Sequence, residues 1–584
     1  MSFVRDVLSF PRRIGYADVV VFGALGGVLY WLVLISREWT SGLQPQNIIH
    51  IEFRYLPLYT LYSLSRGLGA YIISLLFTIA YGYTMAHSKR AEKLMLSLLD
   101  IFQSVPIVAF LPELVLVFVY LFPHSNIGLE SASVITIFTG QVWNMTFAFY
   151  HSLKAIPTDL RDASESYHLS KGETLWRLEL PASAIPLIWN SMMSMAGGWF
   201  FLSLSEAFTY GGRDFRLPGI GSYMSVAVDK GNVPAMIGAV VAMGLMIIFL
   251  DRVLWRPLVI WSTKFRVEEL SSEVEGKSFV LDIVQKSEVL QLLNRSFEQR
   301  RRRRQERRSV QEFANMRDEL LHEAFDAPVA VESQFRKVLG VGLMTMVFGA
   351  LAYGIFRLAI VFSTEVSGPD WITILGDSLL TLVRVLAAVI LGAVWTIPLG
   401  VVIGMNPRYS RKLQPVAQFL SSFPAPMFFP LFIFLFVHWG ISIEYGSIFL
   451  MLLGTQWYML FNVMAGASSV PTDLQEMFHS YNLPRKEWWL KLILPAIFPS
   501  IVTGAITAAG GAWNASIVAE FVAYNQKTYA AHGIGAYLTA AYQSGQYALL
   551  GAGIFTLCLM VVLLNKFVWR RLFNLAQDRY ALNV

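Results

Sequence analysis

Long apolar runs separated by short polar loops repeat along the chain. The runs before residue 260 lie near 17–36, 58–86, 104–122, 132–152, 184–209 and 234–256. Further runs lie near 338–362, 371–404, 416–438, 445–466, 497–523 and 546–568. A helix of about 20 apolar residues spans a bilayer. The pattern therefore predicts an all-α polytopic membrane protein with about twelve transmembrane helices.

Composition and charge support a membrane protein and limit its chemistry. Of the 584 residues, 55% are hydrophobic and 15% are charged, whereas roughly a quarter of the residues of a soluble domain are charged. The net charge of +6 fits basic loops at a membrane surface, and we expect no nucleic-acid partner. Cys558 is the single cysteine, which excludes an internal disulfide and the usual cysteine-based metal sites. We expect no metal site and no cofactor on this chain.

The first run follows Arg5, Arg12 and Arg13, and no small-x-small cleavage site comes after it. We interpret it as an uncleaved transmembrane helix. Lys and Arg are concentrated in alternate loops. Under the positive-inside rule, both termini and the charged central segment lie in the cytoplasm.

The two sets of runs are copies of each other. Trp143 recurs 314 residues later as Trp457, and Gly219-Ile220-Gly221 recurs at the same offset as Gly533-Ile534-Gly535. Earlier in each copy the offset is 318, as for Arg66 and Arg384. Six helices in the same orientation in each copy indicate a parallel duplication.

This repeat predicts three parts of the chain. Residues 1–261 form the first half, with a core at about 58–258, and residues 336–584 form the second, with a core at about 371–572. A charged linker, 262–335, joins them. Its basic residues lie at Arg300–Arg304, Arg307 and Arg308, and helical stretches are expected near 287–297 and 310–325. A solvated tether near lipid headgroups and a regulatory element both fit the linker.

Twelve helices in two parallel halves also describe a secondary transporter of the major-facilitator type. The position of the conspicuous cytoplasmic loop separates the two interpretations. In facilitators the signature loop follows the second helix of a half, but here His87 to Asp100 reads as a plain polar turn. The informative loop follows the fourth helix in both halves, at 158–181 and 472–495.

These two loops resemble the "EAA" loop of ABC importer permeases. The first reads DASESYHLSKGETLWRLELP from Asp162, and the second reads EMFHSYNLPRKEWWLKLILP from Glu476. The family glycine is His168 in one half and Asn482 in the other, and both residue types tolerate positive φ. The resemblance implies that each loop couples the permease to an ATPase. The implied coupling residues are Asp162, Ala163, Ser164, Glu165, His168, Leu169, Glu476, Phe478, His479, Asn482 and Leu483.

The segments from Ser378 to Gly404 and from Trp513 to Val522 resemble the nitrate/sulfonate/bicarbonate branch of these permeases. The resemblance implies the fold of a type I ABC importer permease, duplicated within one chain, in a bacterial inner membrane. It also implies two cytoplasmic ATPase subunits, a periplasmic or lipid-anchored solute-binding protein and a small anionic substrate. A metal-chelate importer with fused halves is the alternative substrate class.

This chain carries no phosphate-binding loop of its own. Gly276-Lys277-Ser278 matches the end of a Walker A motif, but Ser271 stands where its first glycine is needed. We therefore expect the chain not to be an enzyme. ATP and magnesium would bind to the partner subunits.

Charged residues within apolar helices are costly and are usually paired or exposed to water. Arg66 and Glu206 reach similar depths in their helices, as do Arg384 and Glu520. We predict an Arg–Glu pair in each half that steadies an outer gate. The alternative is that each side chain reaches the interface alone.

Polar positions in otherwise apolar helices are candidates for the substrate path, although many such residues make helix–helix hydrogen bonds instead. The candidates are Ser104, Gln141, Asn144, Asn190, Ser421, Ser422, Gln456 and Asn514. Trp143 and Trp457 are expected to pack rather than to contact substrate.

Overall fold

The computed structural model describes residues 15–42, 48–104, 106–167, 169–210, 213–265, 278–287, 291, 346, 349, 352–471, 474, 476–477, 480, 484–525 and 527–580. These residues divide into two compact units. One comprises the described residues within 1–33 and 273–365, and the other comprises those within 34–272 and 366–584. The second unit contains the cores of both sequence repeats.

The first repeat is almost entirely helical. Its helices are α1 (Tyr16–Trp39), α2 (Leu56–His87), α3 (Lys89–Ser104), α4 (Leu111–Leu121), α5 (Ile127–Lys154), α6 (Thr158–Ser166), α7 (Lys171–Thr174), α8 (Leu180–Glu206), α9 (Ile220–Asp229), α10 (Val233–Leu250) and α11 (Arg256–Ser262). A further short helix, α12 (Phe279–Lys286), follows.

The described part of the second repeat has the same order of elements, except that the counterpart of α6 lies mostly outside the described residues. The chain is helical over 352–365. The helices after this stretch are α13 (Gly368–Met405), α14 (Pro407–Ser421), α15 (Phe429–Trp439), α16 (Ile443–Ser468), α17 (Arg485–Glu487), α18 (Leu494–Ala519), α19 (Ile534–Gln543), α20 (Tyr547–Leu564) and α21 (Arg570–Tyr580).

Seven stretches of the described chain are long and apolar enough to cross a membrane. They are Tyr16–Trp39, Phe53–His87, Val233–Phe265, Gly368–Met405, Ile443–Ser468, Arg485–Ala519 and Tyr547–Tyr580. Two apolar helical stretches, Ile107–Leu121 and Phe429–Trp439, are shorter. The predicted all-α polytopic fold is confirmed. The predicted run near 338–362 lies partly outside the described residues.

The runs near 104–122 and 416–438 are not single helices. Each contains a break, at the 3₁₀ turns Ile107–Phe110 and Ala425–Met427, which follow Pro106 and Pro424. Proline disfavours helix in the residue before it and has no N–H to donate. The residues before these breaks form α3 and α14, so the prediction of a plain polar turn at His87–Asp100 was wrong. Polar residues on one face of α3 were mistaken for a loop.

Two short β-hairpins interrupt the helices. Strands β1 (Thr209–Tyr210) and β2 (Arg213–Asp214) follow α8, and β3 (Phe521–Tyr524) and β4 (Lys527–Ala530) follow α18. The predicted runs near 184–209 and 497–523 therefore end early as helices. Asn525 takes a positive φ of 51° in the second hairpin, a conformation that asparagine tolerates in turns.

Three long helices pack in series in each half: α2, α5 and α8 in the first, and α13, α16 and α18 in the second. Glycines allow some of these helices to approach closely, as is usual in membranes. A Cβ on Gly67 would lie 2.4 Å from the Trp199 ring, and one on Gly404 would lie 2.5 Å from the Met464 carbonyl oxygen. The halves meet where α8 packs on Ala425–Met427 and α18 packs on Ile107–Phe110.

In the first compact unit, α12 is linked to the beginning of α1. Ser287 Oγ donates to Asp18 Oδ1 at 2.7 Å, and both side chains are buried. Four linker predictions fall outside the described residues: the helices near 287–297 and 310–325, of which only 287 and 291 are described, the arginine cluster, and Gly276-Lys277.

The packing of α13 on α16 yields a stability prediction with a matched control. Gly404→Ala places a methyl group against backbone that must shift, and such overpacking costs about 1–3 kcal/mol. Gly376 lies on the same helix, and a Cβ added there would meet nothing within 4 Å, so Gly376→Ala should gain up to about 1 kcal/mol of helix propensity. Thermal unfolding of the purified chain should show a lower Tm for Gly404→Ala only. Equal Tm values for the two variants would contradict the tight contact.

Candidate functional site

A buried arginine holds three helices of the first half together. Arg66 on α2 donates from Nε and Nη2 to the two oxygens of Glu130 on α5, each at 2.6 Å. Its Nη1 lies 2.7 Å from Glu206 Oε1 at the end of α8. Arg66 is 1% exposed, and both carboxylates are fully buried. One guanidinium thus faces two acids in a bidentate and a single contact.

The hydroxyl of Ser63 and the start of α9 complete this network. Ser63 Oγ donates to Glu206 at 2.7 Å and accepts from Ile220 N at 2.9 Å. Gly221 N donates to Glu206 Oε2 at 2.9 Å. The amino end of a helix favours a negative charge. Glu206 therefore joins α8 to both α2 and α9.

The second half repeats the network with one difference. Arg384 Nη1 lies 2.9 Å from Glu520 Oε1, and Thr381 Oγ1 donates to the same oxygen at 2.7 Å. Gly535 N donates to Glu520 at 2.8 Å. The third partner, Glu444, pairs with Arg384 but its side chain is 32% exposed.

Glu444 has an additional partner that the first half lacks. His532 Nδ1 lies 2.6 Å from Glu444 Oε1, and the backbone N of His532 donates to the same oxygen at 2.9 Å. Residue 218, at the equivalent position of the first half, is proline. Its carbonyl oxygen accepts from Arg66, as the His532 carbonyl accepts from Arg384. The second network is therefore the more open to solvent.

This geometry explains the repeated Gly-Ile-Gly segments. A Cβ on Gly219 would lie 2.3 Å from Glu206 Cδ, and one on Gly533 would lie 2.4 Å from Glu520 Oε2. A side chain at either glycine would displace the carboxylate. The contacts of Arg66 with Glu206 and of Arg384 with Glu520 are present at ion-pair distance. Their role in a gate stays a prediction. Glu130 and Glu444 were missed, although the 314-residue offset relates them.

A cavity of about 1630 Å³ lies where the two halves meet. Its wall comes from α2, α3, α5 and α8 of the first half and from α14, α16, α18 and the segment 561–574 of the second. No Asp or Glu among the described residues lines it, and its charged side chains are Lys566 and Arg570. The cavity is therefore a partly polar space with positive charge at its wall.

Five of the eight predicted path residues line this cavity: Asn144, Asn190, Ser421, Ser422 and Asn514. Gln141 and Gln456 are not part of the lining. Gln141 is instead fully buried between Ser74 and Met195. The side chain of Ser104 lies outside the described residues.

The tryptophans expected to pack also face the cavity. Trp143 and Trp457 both line it, while Trp143 stacks on Phe102 at 6.1 Å and Trp457 contacts Trp395 edge-on at 6.3 Å. Thr503, Thr507 and Lys566 line it as well and were missed. The sequence gives no signal that the two threonines line a cavity, because threonine is common in apolar helices.

The first coupling loop contains the exposed helix α6. Asp162 and Glu165 are exposed, Ala163 is half-buried and Ser164 is buried. Leu169, half-buried, follows the helix, whereas His168 lies outside the described residues. Arg161 binds the Leu153 carbonyl oxygen, which fixes α6 to the end of α5.

The second coupling loop is described only in part. Glu476 is exposed, and Phe478, His479, Asn482 and Leu483 lie outside the described residues. Each loop contains, near its end, a π-helical turn, Leu175–Glu179 or Trp488–Ile493, that leads directly into α8 or α18. The loops are thus continuous with helices that line the cavity.

The helix α3 is bound beside the first loop. The Tyr150 hydroxyl donates to Glu92 Oε1 at 2.5 Å, and Lys154 Nζ lies 3.0 Å from Glu92 Oε2. The hydrogen bond from Tyr150, followed by that from Lys154, lowers the pKa of Glu92 below its usual 4.5. The negative charge of Glu92 thus holds α3 on the end of α5.

Comparison with known families gives two matches within the chain. The model of the family described as "Binding-protein-dependent transport system inner membrane component" matches residues 74–254 and again 396–574. Together these ranges cover more than half of the chain. Each contains one coupling loop, one of the cavity helices α8 or α18, and one Gly-Ile-Gly segment.

Individual permease proteins are also similar in sequence to this chain. The chain is 28% identical over 188 residues to the nitrate import permease protein NrtB of Leptolyngbya laminosa, covering 32% of this chain and 64% of that protein. It is 26% identical over 192 residues to the bicarbonate transport system permease protein CmpB of Synechococcus elongatus, covering 33% of this chain and 66% of the relative. The putative aliphatic sulfonates transport permease protein SsuC of Bacillus subtilis is 28% identical over 193 residues, with coverage of 33% and 66%. Each match spans less than two thirds of the relative's own length.

The two arginine networks predict unequal stability losses. Arg66→Met leaves two buried carboxylates without a cation, and breaking such a buried pair costs about 3–5 kcal/mol. Arg384→Met should cost less, because Glu444 retains contact with water and His532. Thermal unfolding should therefore give the lowest Tm for Arg66→Met, and Arg408→Met, a change at an exposed arginine, should leave the Tm unchanged. A larger loss for Arg384→Met than for Arg66→Met would show that the first network is not the stronger constraint.

Proposed function

Because this chain belongs to the family of binding-protein-dependent transport system inner membrane components, with two copies of the family domain in one polypeptide, we propose that it is the complete membrane pathway of an ATP-driven importer. The two family domains match residues 74–254 and 396–574. They support two six-helix halves, which we place at 1–261 and 336–584, with 262–335 as the linker between them. One cavity between the halves serves as the substrate path. The chain itself hydrolyses no ATP.

The lining of the cavity carries the proposal that the substrate is a small anion. Two cations and no carboxylate among the described lining residues attract anions and repel cations. Amide groups add hydrogen-bond donors. Asn514 Nδ2 donates to the Gly510 carbonyl at 3.2 Å and Asn190 Nδ2 to that of Pro186 at 2.9 Å, which leaves each amide nitrogen a second hydrogen. Nitrate, bicarbonate and sulfonates, named for the relatives, are the substrate classes that fit.

The loops at 158–181 and 472–495 are proposed to receive two cytoplasmic ATPase subunits. Exposed α6 and the direct continuation of each loop into α8 or α18 support this role. Movement of an ATPase against a loop is passed along a stiff helix to the cavity wall. This arrangement requires the loops, the linker and both termini on the cytoplasmic side of a bacterial inner membrane.

The arginine networks are proposed to act at the opposite end of the pathway. Glu206 is separated from Leu180 by 26 residues, or about 40 Å of helix. Each network ties α2 or α13 to the far end of α8 or α18. When the ATPases bind ATP and close, each half rotates as a rigid unit because its network joins its helices. The path then opens to a solute-binding protein on the outer side. Release of the anion inward follows hydrolysis.

The coupling proposal is tested by co-purification of the tagged chain with the ABC ATPases of its host cell. Glu165→Ala and Glu476→Ala remove exposed acids from the two loops, and each should lower retention of the ATPase or its anion-stimulated ATPase rate at least threefold. Asp578→Ala removes an exposed acid outside the loops and is the matched control. A chain that purifies without any ATPase, or loop variants that match the control, would overturn this role.

A further inference from the structure

One tyrosine reaches from the second half of the chain to the first. Tyr458 lies on α16 and lines the cavity. A Cβ on Gly511 of α18 would lie 3.1 Å from the ring atom Cε2 of Tyr458, and one on Gly197 of α8 would lie 3.9 Å from its hydroxyl oxygen. The edge of the ring therefore packs on a helix of its own half, and the hydroxyl end reaches a helix of the other half.

The two glycines are equivalent positions of the two copies. Gly197 and Gly511 are separated by the same 314 residues that relate the halves. A side chain that lies close to equivalent positions on α8 and α18 lies at the boundary between the halves. The ring of Tyr458 thus occupies the middle of the path.

This place is filled from one half only. The counterpart of Tyr458 in the first half is Asn144, which also lines the cavity but has a shorter side chain. Two identical halves would present the tyrosine twice, and two rings cannot occupy one close-packed space. A permease with two different halves in one chain can place a single large side chain there.

Tyr458 lies close to the closed end of the cavity. On α8 the lining ends at Phe201, and on α18 it ends at the equivalent Ala515. These positions are four residues, or about 6 Å of helix, beyond the two glycines. The described residues that follow them, 202–206 and 516–520, line no part of the cavity. The arginine networks therefore lie beyond its closed end.

The open space lies on the other side of Tyr458, toward the coupling loops. Asn190 lines the cavity and is seven residues, or about 10 Å of helix, nearer to the first coupling loop than Gly197 is. His151, close to the end of α5 that leads into this loop, lines it as well. Tyr458 thus stands between the cavity and the network end of the path.

The ring of Tyr458 is held by packing. In the part of the chain that the structure describes, its hydroxyl group makes no hydrogen bond, although its backbone carbonyl accepts from Asn462 at 2.8 Å. The arginine networks, in contrast, join their helices by charge-assisted hydrogen bonds. A ring that packs on two glycines is released when α8 and α18 move, with no hydrogen bond left unpaired.

We propose that Tyr458 is the plug of the substrate path: its ring closes the outer end of the cavity, and movement of α8 and α18 releases it. The coupling loops lead into these same two helices. A movement that begins at the ATPases therefore acts on the backbone beside the ring. This inference rests on the proposed function and adds to it a closing residue that one half alone supplies.

Access of a thiol reagent from each side of the membrane tests the plug. Asn190→Cys places a thiol on the coupling-loop side of Tyr458, and Cys558→Ser removes the single native cysteine. The probe is MTSES, a small membrane-impermeant anion that modifies thiols, applied to right-side-out or inverted membrane vesicles without ATP. A mass increase of the purified chain reports the modification. With Tyr458 in place, modification should be fast from the coupling-loop side only.

Four variants identify the ring as the closing group. Tyr458→Ala should speed modification from the outer side at least about tenfold, because a closed path that opens in roughly 0.1–10% of molecules becomes permanently open. Tyr458→Asn, which copies the residue of the first half, should do the same. Tyr458→Phe keeps the ring and should stay closed. Tyr445→Ala is the matched control, since it makes the same truncation at an exposed position of α16 outside the cavity.

The outcomes separate this inference from the proposed function. Outer modification that is equally fast with and without the ring, or an open path in Tyr458→Phe, overturns the plug. A thiol at position 190 that reacts from neither side overturns both, because the cavity would then not be a path. The predicted pattern of modification, found together with gradient-driven anion uptake that needs no ATPase, would overturn the proposed function and leave the plug in place.

Discussion

The packing of helices in each half depends on one buried arginine. Arg66 and Arg384 contact acids on two other helices, and a charge in an apolar environment is stable only when it is paired and hydrogen-bonded. The helices that meet at each arginine therefore cannot separate without exposing unpaired charge. The adjacent Gly-Ile-Gly segment must bring its backbone against the same carboxylate. The end of each half that lies far from the coupling loop is thereby fixed as one piece.

The rigid networks and the variable cavity lie on the same helices. Glu206 is the last residue of α8 and Glu520 directly follows α18, and residues that line the cavity lie on the preceding turns of both helices. Both copies retain the arginine network, because a substitution within it leaves a buried charge unpaired. Cavity positions have no such requirement, since they face open space. The network can therefore stay nearly the same in both halves while the lining differs, as in the exchange of Phe200 for Asn514.

Much of the architecture is readable from the sequence because it follows from one-dimensional patterns. Apolar runs indicate the long helices, the 314-residue offset relates the halves, and the coupling loops are recognised by their motif. The amphipathic helices α3 and α14 were misread, because a helix with one polar face resembles a polar loop when position along the chain is the only guide. The breaks at Pro106 and Pro424 have the same origin, since an apolar run continues through a proline that ends a helix.

The site was predicted less completely because it is made by contacts between helices that are far apart in the sequence. Asn144 and Asn514 were found as polar residues in apolar helices, but the same criterion selected Gln141, which is buried between helices. Trp143 and Trp457 both pack and line the cavity, and composition does not separate those roles. Glu130 completes the Arg66 network from a third helix. Its position next to Arg66 follows from the packing of α2 on α5, which no local pattern encodes.

We propose that an anion crosses between the two halves at the expense of ATP hydrolysed on other subunits. The most direct measurement is uptake of radiolabelled anion by proteoliposomes that contain the chain and its ATPase, energised either by enclosed ATP or by an ion gradient. Uptake that requires ATP and the ATPase, and that a gradient alone does not support, is the predicted result. Uptake by the chain alone on a gradient would contradict ATP-driven import and would identify a secondary transporter.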